Sequence, residues 1–340
     1  MAHPTLLFTA DWHLTGRPID EYRWKIIPWL IKRIRQHNVQ HLFMLGDLTD
    51  QKDGHNSVLV NRIISALKAL REECPVTLLM GNHDYHDISL PYFKFLNAGW
   101  DITYIVKQTE LVVGDLKILA IPHVKNWRAS LSGINSSVEA PNFRGYDLIL
   151  THQCFDGAIS EQGQRLDGVP PVLFSKERVG AAHVLAGDIH APQVVGNITY
   201  CGAPYPVHFG DSYKPRVLLY QEGAMTSIER NTIYKSTLDI VEVDDLDAYE
   251  LTAGDLVKVR MTLPRSRFCE WKELREAVPA RAAQQGWTLC GLELKEKVLT
   301  RKTLDAVAAP VTSTPLKTWE AYVSAKQVSD AILNVGKQYL

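Results

Sequence analysis

Asp11 and His13 stand two residues apart at the end of the apolar run Leu6-Leu7-Phe8. In an extended chain, residues i and i+2 point the same way, so a carboxylate and an imidazole reach one point beyond the strand while Trp12 faces the other side. Mixed oxygen and nitrogen donors of this kind suit a divalent metal of intermediate softness. Four later stretches repeat the arrangement. Residues 41–45 run into Gly46-Asp47-Leu48-Thr49-Asp50, and residues 76–80 into Gly81-Asn82-His83-Asp84. Residues 148–151 run into His152, and residues 183–186 into Gly187-Asp188-Ile189-His190. Each has a plainer reading alone: Asp47 or Asp50 could cap a helix, Asn82 could turn with Gly81, and His152 could be a core histidine. Five apolar runs ending on Asp, Asn or His, where open α/β sheets bind ligands, favour a metal site.

The elements that must carry these residues follow from the apolar spacing. Tyr22, Ile26, Ile27, Leu30 and Ile34 predict a helix over 20–37, with Pro28 either a kink or part of its first turn. Ser57 is the expected N-cap of a second helix carrying Ile63, Ile64, Leu67 and Leu70 and ended by Pro75. Further strands are expected at 116–121, 198–201 and 217–220. The first 235 residues therefore read as an α/β unit: a two-layer mixed β-sandwich flanked by helices. Residues 236–304 read as a small α+β capping domain, with strands at 256–263 and 287–294 around a helix at 271–283. Residues 305–315, rich in Ala and Pro, read as a linker, and 316–340 as a C-terminal helical segment for a partner.

A formal charge of −1 gives no global attraction to nucleic acid, so any such contact needs a local basic patch or a partner. Five scattered cysteines without a Cys-x-x-Cys pair fit a reducing compartment. With no apolar run near ~18 residues and no leader pattern, a cytoplasmic protein is expected, in the host cytoplasm for a phage-encoded chain, with no membrane contact.

The motifs Asp-x-His, Gly-Asp-x-x-Asp, Gly-Asn-His-Asp, His after a strand and Gly-x-x-His, in this order, resemble the calcineurin-like metallophosphoesterases. Three further stretches resemble the nuclease subunit of SbcCD-type complexes and its phage, archaeal and eukaryotic relatives. These are Ala10-Asp11-Trp12-His13-Leu14, Tyr200-Cys201-Gly202-Ala203-Pro204 through Phe209-Gly210-Asp211, and Thr314-Pro315-Leu316 to Tyr322. The resemblance implies two divalent ions, Mn²⁺ or else Mg²⁺. One would take Asp11, His13, Asp47 and His190; the other Asp47, Asn82, His152 and Asp188. His83 would act on the leaving oxygen or the phosphate, and Asp84 would orient an imidazole. The implied activity is phosphodiester hydrolysis in DNA, as double-strand exonuclease and single-strand endonuclease. The implied partners are DNA and a coiled-coil SMC-like ATPase subunit, with a homodimer expected.

The family usually reads Gly-His-x-His at the last motif, where this chain has Asp188. A carboxylate there favours harder ions such as Mn²⁺ or Mg²⁺. Arg17, Lys125, Trp127 and Arg128 are candidate DNA contacts. Two other functions stand beside the nuclease: a phosphoesterase for small diesters or phosphoproteins, and a scaffold with a degenerate metal site.

Overall fold

The computed structural model describes residues 3–52, 54–99, 101–127 and 142–297. Arg128, the 305–315 linker and the 316–340 segment lie outside the described residues.

Two six-stranded sheets face each other. In the first, β1 (Leu6–Thr9), β2 (His41–Leu45), β3 (Val76–Leu79) and β4 (Ile102–Ile105) are parallel. The antiparallel hairpin of β11 (Arg216–Gln221) and β12 (Ala224–Glu229) extends it beyond β1. In the second, β6 (Leu116–Ile121), β7 (Leu148–His152), β8 (His183–Gly187) and β10 (Ile198–Tyr200) are parallel. Its edges are antiparallel: β5 (Thr109–Val113) beside β6 and β9 (Val194–Val195) beside β10.

Alternation along each strand explains the packing. Leu6, Phe8, Phe43 and Leu45 of the first sheet meet Ile118, Leu148, Leu150 and Leu185 of the second in one apolar layer. Leu7, Leu42 and Met44 point the other way, into the helices, and Ile149 and Val184 into a third cluster. Strands buried on both faces read as continuous apolar runs, which is how they appear in the sequence.

Helix α1 (Ile26–His37) follows a 3₁₀ stretch, Pro18–Lys25, so the expected single helix is two pieces. Pro28 sits in the first α-turn, where its missing N–H leaves no bond unmade. Helix α2 (Ser57–Arg71) is capped by Asn56, not Ser57: the Asn56 Oδ1 accepts from Leu59 N–H at 2.9 Å. A short helix, α3 (Lys176–Val179), precedes β8.

A third sheet holds β13 (Lys235–Ile240), β14 (Leu256–Leu263) and β15 (Thr288–Glu296), all parallel, with α4 (Trp271–Gln284) between the last two. Val257, Val259, Met261, Val278 and Ala282 make its own core. Leu256 and Cys290 reach the main core instead, which seats this sheet against the sandwich. No helix among the described residues is long and apolar enough to cross a membrane.

Candidate metal centre and its neighbours

The five motif loops converge at one end of the sandwich. Asp11, His13, Asp47 and Asn82 come from loops after the first sheet's strands; His152, Asp188 and His190 come from β7 and the end of β8. Asp47 sits centrally. Its Oδ2 lies 3.4 Å from His13 Nε2 and its Oδ1 lies 3.4 Å from His152 Nε2. His152 Nε2 is also 3.5 Å from Asp188 Oδ1, and His13 Nε2 is 3.0 Å from His190 Nε2. His13 and His190 thus lie on one side of this carboxylate, and His152 and Asp188 on the other.

Asp11 and His13 converge by a different route from the one expected. Neither lies in extended backbone: their φ values are 55° and 44°, and Asp47 (58°) and Asp188 (90°) are also left-handed. Such φ values cost of order 1 kcal/mol or more per residue and persist only where the surroundings hold them. Here they are held. His13 N–H donates to Asp47 O at 3.0 Å, the buried Arg23 guanidinium donates to His13 O, and Tyr205 O–H donates to Trp12 O. Three glycines make the remaining room. A Cβ on Gly46 would stand 2.1 Å from His152 Nδ1, one on Gly81 would stand 2.2 Å from Asp47 Oδ1, and one on Gly187 would stand 2.1 Å from Leu45 O.

Asp84 does not orient an imidazole, contrary to expectation. Buried at 1% exposure, it accepts from backbone N–H groups of Gly81 (2.7 Å), Leu48 (2.9 Å) and Asp47 (3.1 Å). It ties the loop after β3 to the loop after β2. His83 rests on that tie: its own N–H donates to Asp47 Oδ1 at 2.8 Å, and its ring stands edge-on to His13 at 4.7 Å. His83 Nδ1 is 2.9 Å from Asp50 O, and a carbonyl only accepts, so Nδ1 carries the proton and Nε2 is left for other work.

The sequence pattern of the calcineurin-like phosphoesterases matches residues 4–192, the stretch that supplies all of these side chains. This chain belongs to the calcineurin-like phosphoesterase family. It is 26% identical over 185 residues to the "Putative phosphoesterase 244L" of Invertebrate iridescent virus 6, covering 51% of this chain and 61% of that one. It is 25% identical over 223 residues to the "Putative phosphoesterase 078R" of Invertebrate iridescent virus 3, covering 61% of this chain and 59% of that one. The chain thus spans about three fifths of the length of each viral relative. Among solved structures, a novel archaeal phosphodiesterase overlaps at 12% identity and TM-score 0.36, covering 66% of this chain and 99% of that one. A dimetal phosphatase from Danio rerio overlaps at 13% identity and TM-score 0.39, covering 68% and 100%. Both overlaps are too loose to carry residue assignments.

The family uses divalent metals, and the donor set of this phosphoesterase fits a pair. Asp11 Oδ2, Asn82 Oδ1 and His152 Nε2 are buried with no hydrogen-bond partner, an arrangement that costs free energy unless a cation is present. His152 Nδ1 lies 2.6 Å from Leu45 O, so it donates there and turns the lone pair of Nε2 inward, the usual anchoring of a metal-bound histidine. His13 Nε2 and His190 Nε2, 3.0 Å apart, are the nitrogens that would together hold an ion. Electrostatics agree. Burial, with Asp47 and Asp188 nearby, pushes the Asp11 carboxyl well above its usual range. Burial also opposes a charged His152, yet Asp47 and Asp188 raise its proton affinity well above that of an ordinary histidine. Burial holds His13 and His190 neutral, the latter down to about 3. The cluster calls for positive charge.

Asp50 closes the Gly-Asp-x-x-Asp motif, and two further neighbours, Glu161 and His123, escaped the sequence. Asp50 Oδ1 is 3.6 Å from His13 Nδ1. Glu161, from the polar loop after β7, accepts from His190 N–H at 2.9 Å and lies 3.5 Å from its Nδ1. His123 stands 6.1 Å from the His152 ring and 2.7 Å, through Nδ1, from the Tyr85 hydroxyl. It follows an apolar strand, β6, as the other histidines follow theirs, and that signal was there to be read. Of the candidate DNA contacts, Arg17 is beside the site but is paired with Asp20 (2.7 Å) and Asp50 (3.0 Å). Lys125 is exposed, and Trp127 packs partly against the second sheet's outer cluster.

Proposed function

We propose that this phosphoesterase is a DNA nuclease, cutting double-stranded ends and single strands, and that it serves an SMC-like ATPase through residues 316–340. Residues 236–304 are its capping domain on this reading, and the working assembly holds two copies. The observation that carries the hydrolysis is Asp47, whose two oxygens each face a different imidazole at 3.4 Å. Two divalent ions held there, Mn²⁺ in the first place, would supply Lewis acidity and an activated water.

The chain's own residues do the rest. Asp47, with His13 and Asp11 on one side and His152, Asn82 and Asp188 on the other, fixes where the phosphate lies. Asp84 holds the loops that set this spacing. His83, its Nδ1 proton committed to Asp50 O, turns Nε2 toward the substrate, where in the imidazolium form it would give a proton to the leaving oxygen. What supports a polynucleotide over a small diester is the cavity beside the centre, to which Arg17 and, from the third sheet, Lys235 and Lys258 contribute.

The test offers linear duplex DNA, circular single-stranded DNA and bis(p-nitrophenyl) phosphate to the purified chain with Mn²⁺. Cleavage of all three is expected. Cleavage of the small diester alone would make the chain a small-substrate phosphoesterase, and cleavage of none would make it a scaffold. Deleting residues 310–340 should spare cleavage by the isolated subunit and abolish co-purification with the ATPase. A truncated chain that still binds the ATPase would overturn that assignment.

A further inference from the structure

Next to the metal centre lies a second cavity of about 530 Å³, within the usual range for a ligand site. Arg17, Asp50, His208, Phe209, Lys235 and Lys258 line it. It adjoins the centre on two sides. Asp50 accepts from His83 through its carbonyl, and His208 stacks on His190 with ring centroids 5.2 Å apart. Charge within it is unbalanced. The buried Asp20 is shared by Arg17 (2.7 Å), Lys235 (2.8 Å) and Arg23 (3.2 Å). Asp50 takes the remaining arm of Arg17. Four cations, with Lys258, thus face two carboxylates.

Lys258 is the cation left over. It comes from β14 and has no carboxylate within ion-pair distance among the described residues; its ammonium instead lies 4.6 Å from the centroid of the Phe209 ring. Its aim is built into the sheet. Between Val257 and Lys258 the pairing of β14 with β15 slips by one residue, so Lys258 faces Gly291 and Cys290 is passed over. A Cβ on Gly291 would meet Lys258 Cγ at 3.5 Å, an ordinary contact, so it is the slip in pairing that aims the lysine. Bulges re-aim side chains in this way.

We infer that this cavity is a subsite for the substrate strand beside the scissile phosphate, with Lys258 holding a flanking phosphate and Phe209 offering its ring to the adjoining nucleoside. The inference rests on the nuclease reading and gives the third sheet a role in substrate choice: a small diester reaches only the metal centre, whereas a strand continues into the cavity. One phosphate contact on a single strand adds about 0.7 to the dependence of log affinity on log salt, and base stacking on an aromatic ring is tolerant of sequence.

The experiment compares the full chain with Lys258→Ala, Lys258→Glu, Lys258→Arg and Phe209→Ala, in Mn²⁺, on a single-stranded oligonucleotide and on bis(p-nitrophenyl) phosphate. Lys258→Glu should raise KM for the oligonucleotide at least tenfold while kcat/KM for the small diester stays within twofold, because Lys258 touches no group of the metal centre. Lys258→Ala should lower the salt slope of oligonucleotide KM by about 0.7, and Lys258→Arg should restore it. Phe209→Ala should raise oligonucleotide KM without changing that slope. Equal losses on both substrates, or an unchanged oligonucleotide KM and salt slope, would overturn the subsite while leaving the nuclease reading intact. A parent chain that cleaves only the small diester would overturn both.

Discussion

His83 and Asp188 are the site residues whose chemistry decides between ligand and reactant. His83 donates through Nδ1 to a carbonyl and keeps Nε2 for the substrate, so its removal should act on turnover and not on metal. His83→Gln is expected to lower kcat by roughly 10²- to 10⁴-fold with Mn²⁺ binding, read by calorimetry, unchanged. Parallel loss of metal and rate would instead make His83 a ligand. Asp188 Oδ1 lies 3.5 Å from His152 Nε2, close enough to share an ion with it. Asp188→His exchanges a hard oxygen for a softer nitrogen, so activity in Mg²⁺ should fall relative to activity in Mn²⁺. A metal profile identical to the parent's would place Asp188 outside the ligand set.

The strands and loops show why part of this was readable and part was not. Strands buried on both faces announce themselves as apolar runs, so the residues at their ends, from Asp11 to His190, were legible in order. The conformation of those residues was not. Asp11 and His13 look alternating on paper but meet through left-handed backbone held by Arg23 and Tyr205, and Tyr205 lies 193 positions from the Trp12 carbonyl it supports. The family resemblance alone gave Asp84 a histidine to orient; its partners are three amides, which leave no pattern in side-chain types. Glu161 came from a polar loop with nothing to distinguish it. The glycines were legible as turns, though not as clearances. Gly81→Ala tests that distinction. Its Cβ would meet Asp47 Oδ1 and Asp47 N at 2.2 and 2.4 Å, and backbone cannot swing aside as a side-chain tip can. Loss of Mn²⁺ binding is expected, with destabilisation of about 1–3 kcal/mol by denaturant titration. Wild-type metal affinity would mean that the loop relaxes freely.

At the scale of the molecule, the candidate metal ligands are divided between the layers of the sandwich, four before His152 on the first sheet and three on the second. Metal bound to the folded chain and not to the unfolded one raises stability by about 2.7 kcal/mol at a hundred times Kd. Mn²⁺ should therefore raise Tm by several degrees, chelator should reverse the rise, and Asp47→Ala should abolish it. A Tm indifferent to Mn²⁺ in the parent would remove the metal pair from the site. The split has a consequence for the protein's life in a cell. Ions bridging two layers would act as a clasp, so a chain made when the metal is scarce would start out with its halves unfastened and with protons on Asp11 and His152 in the ions' place. Such a chain is the better target for proteases, and the amount of enzyme, as well as its activity, would track the metal supply.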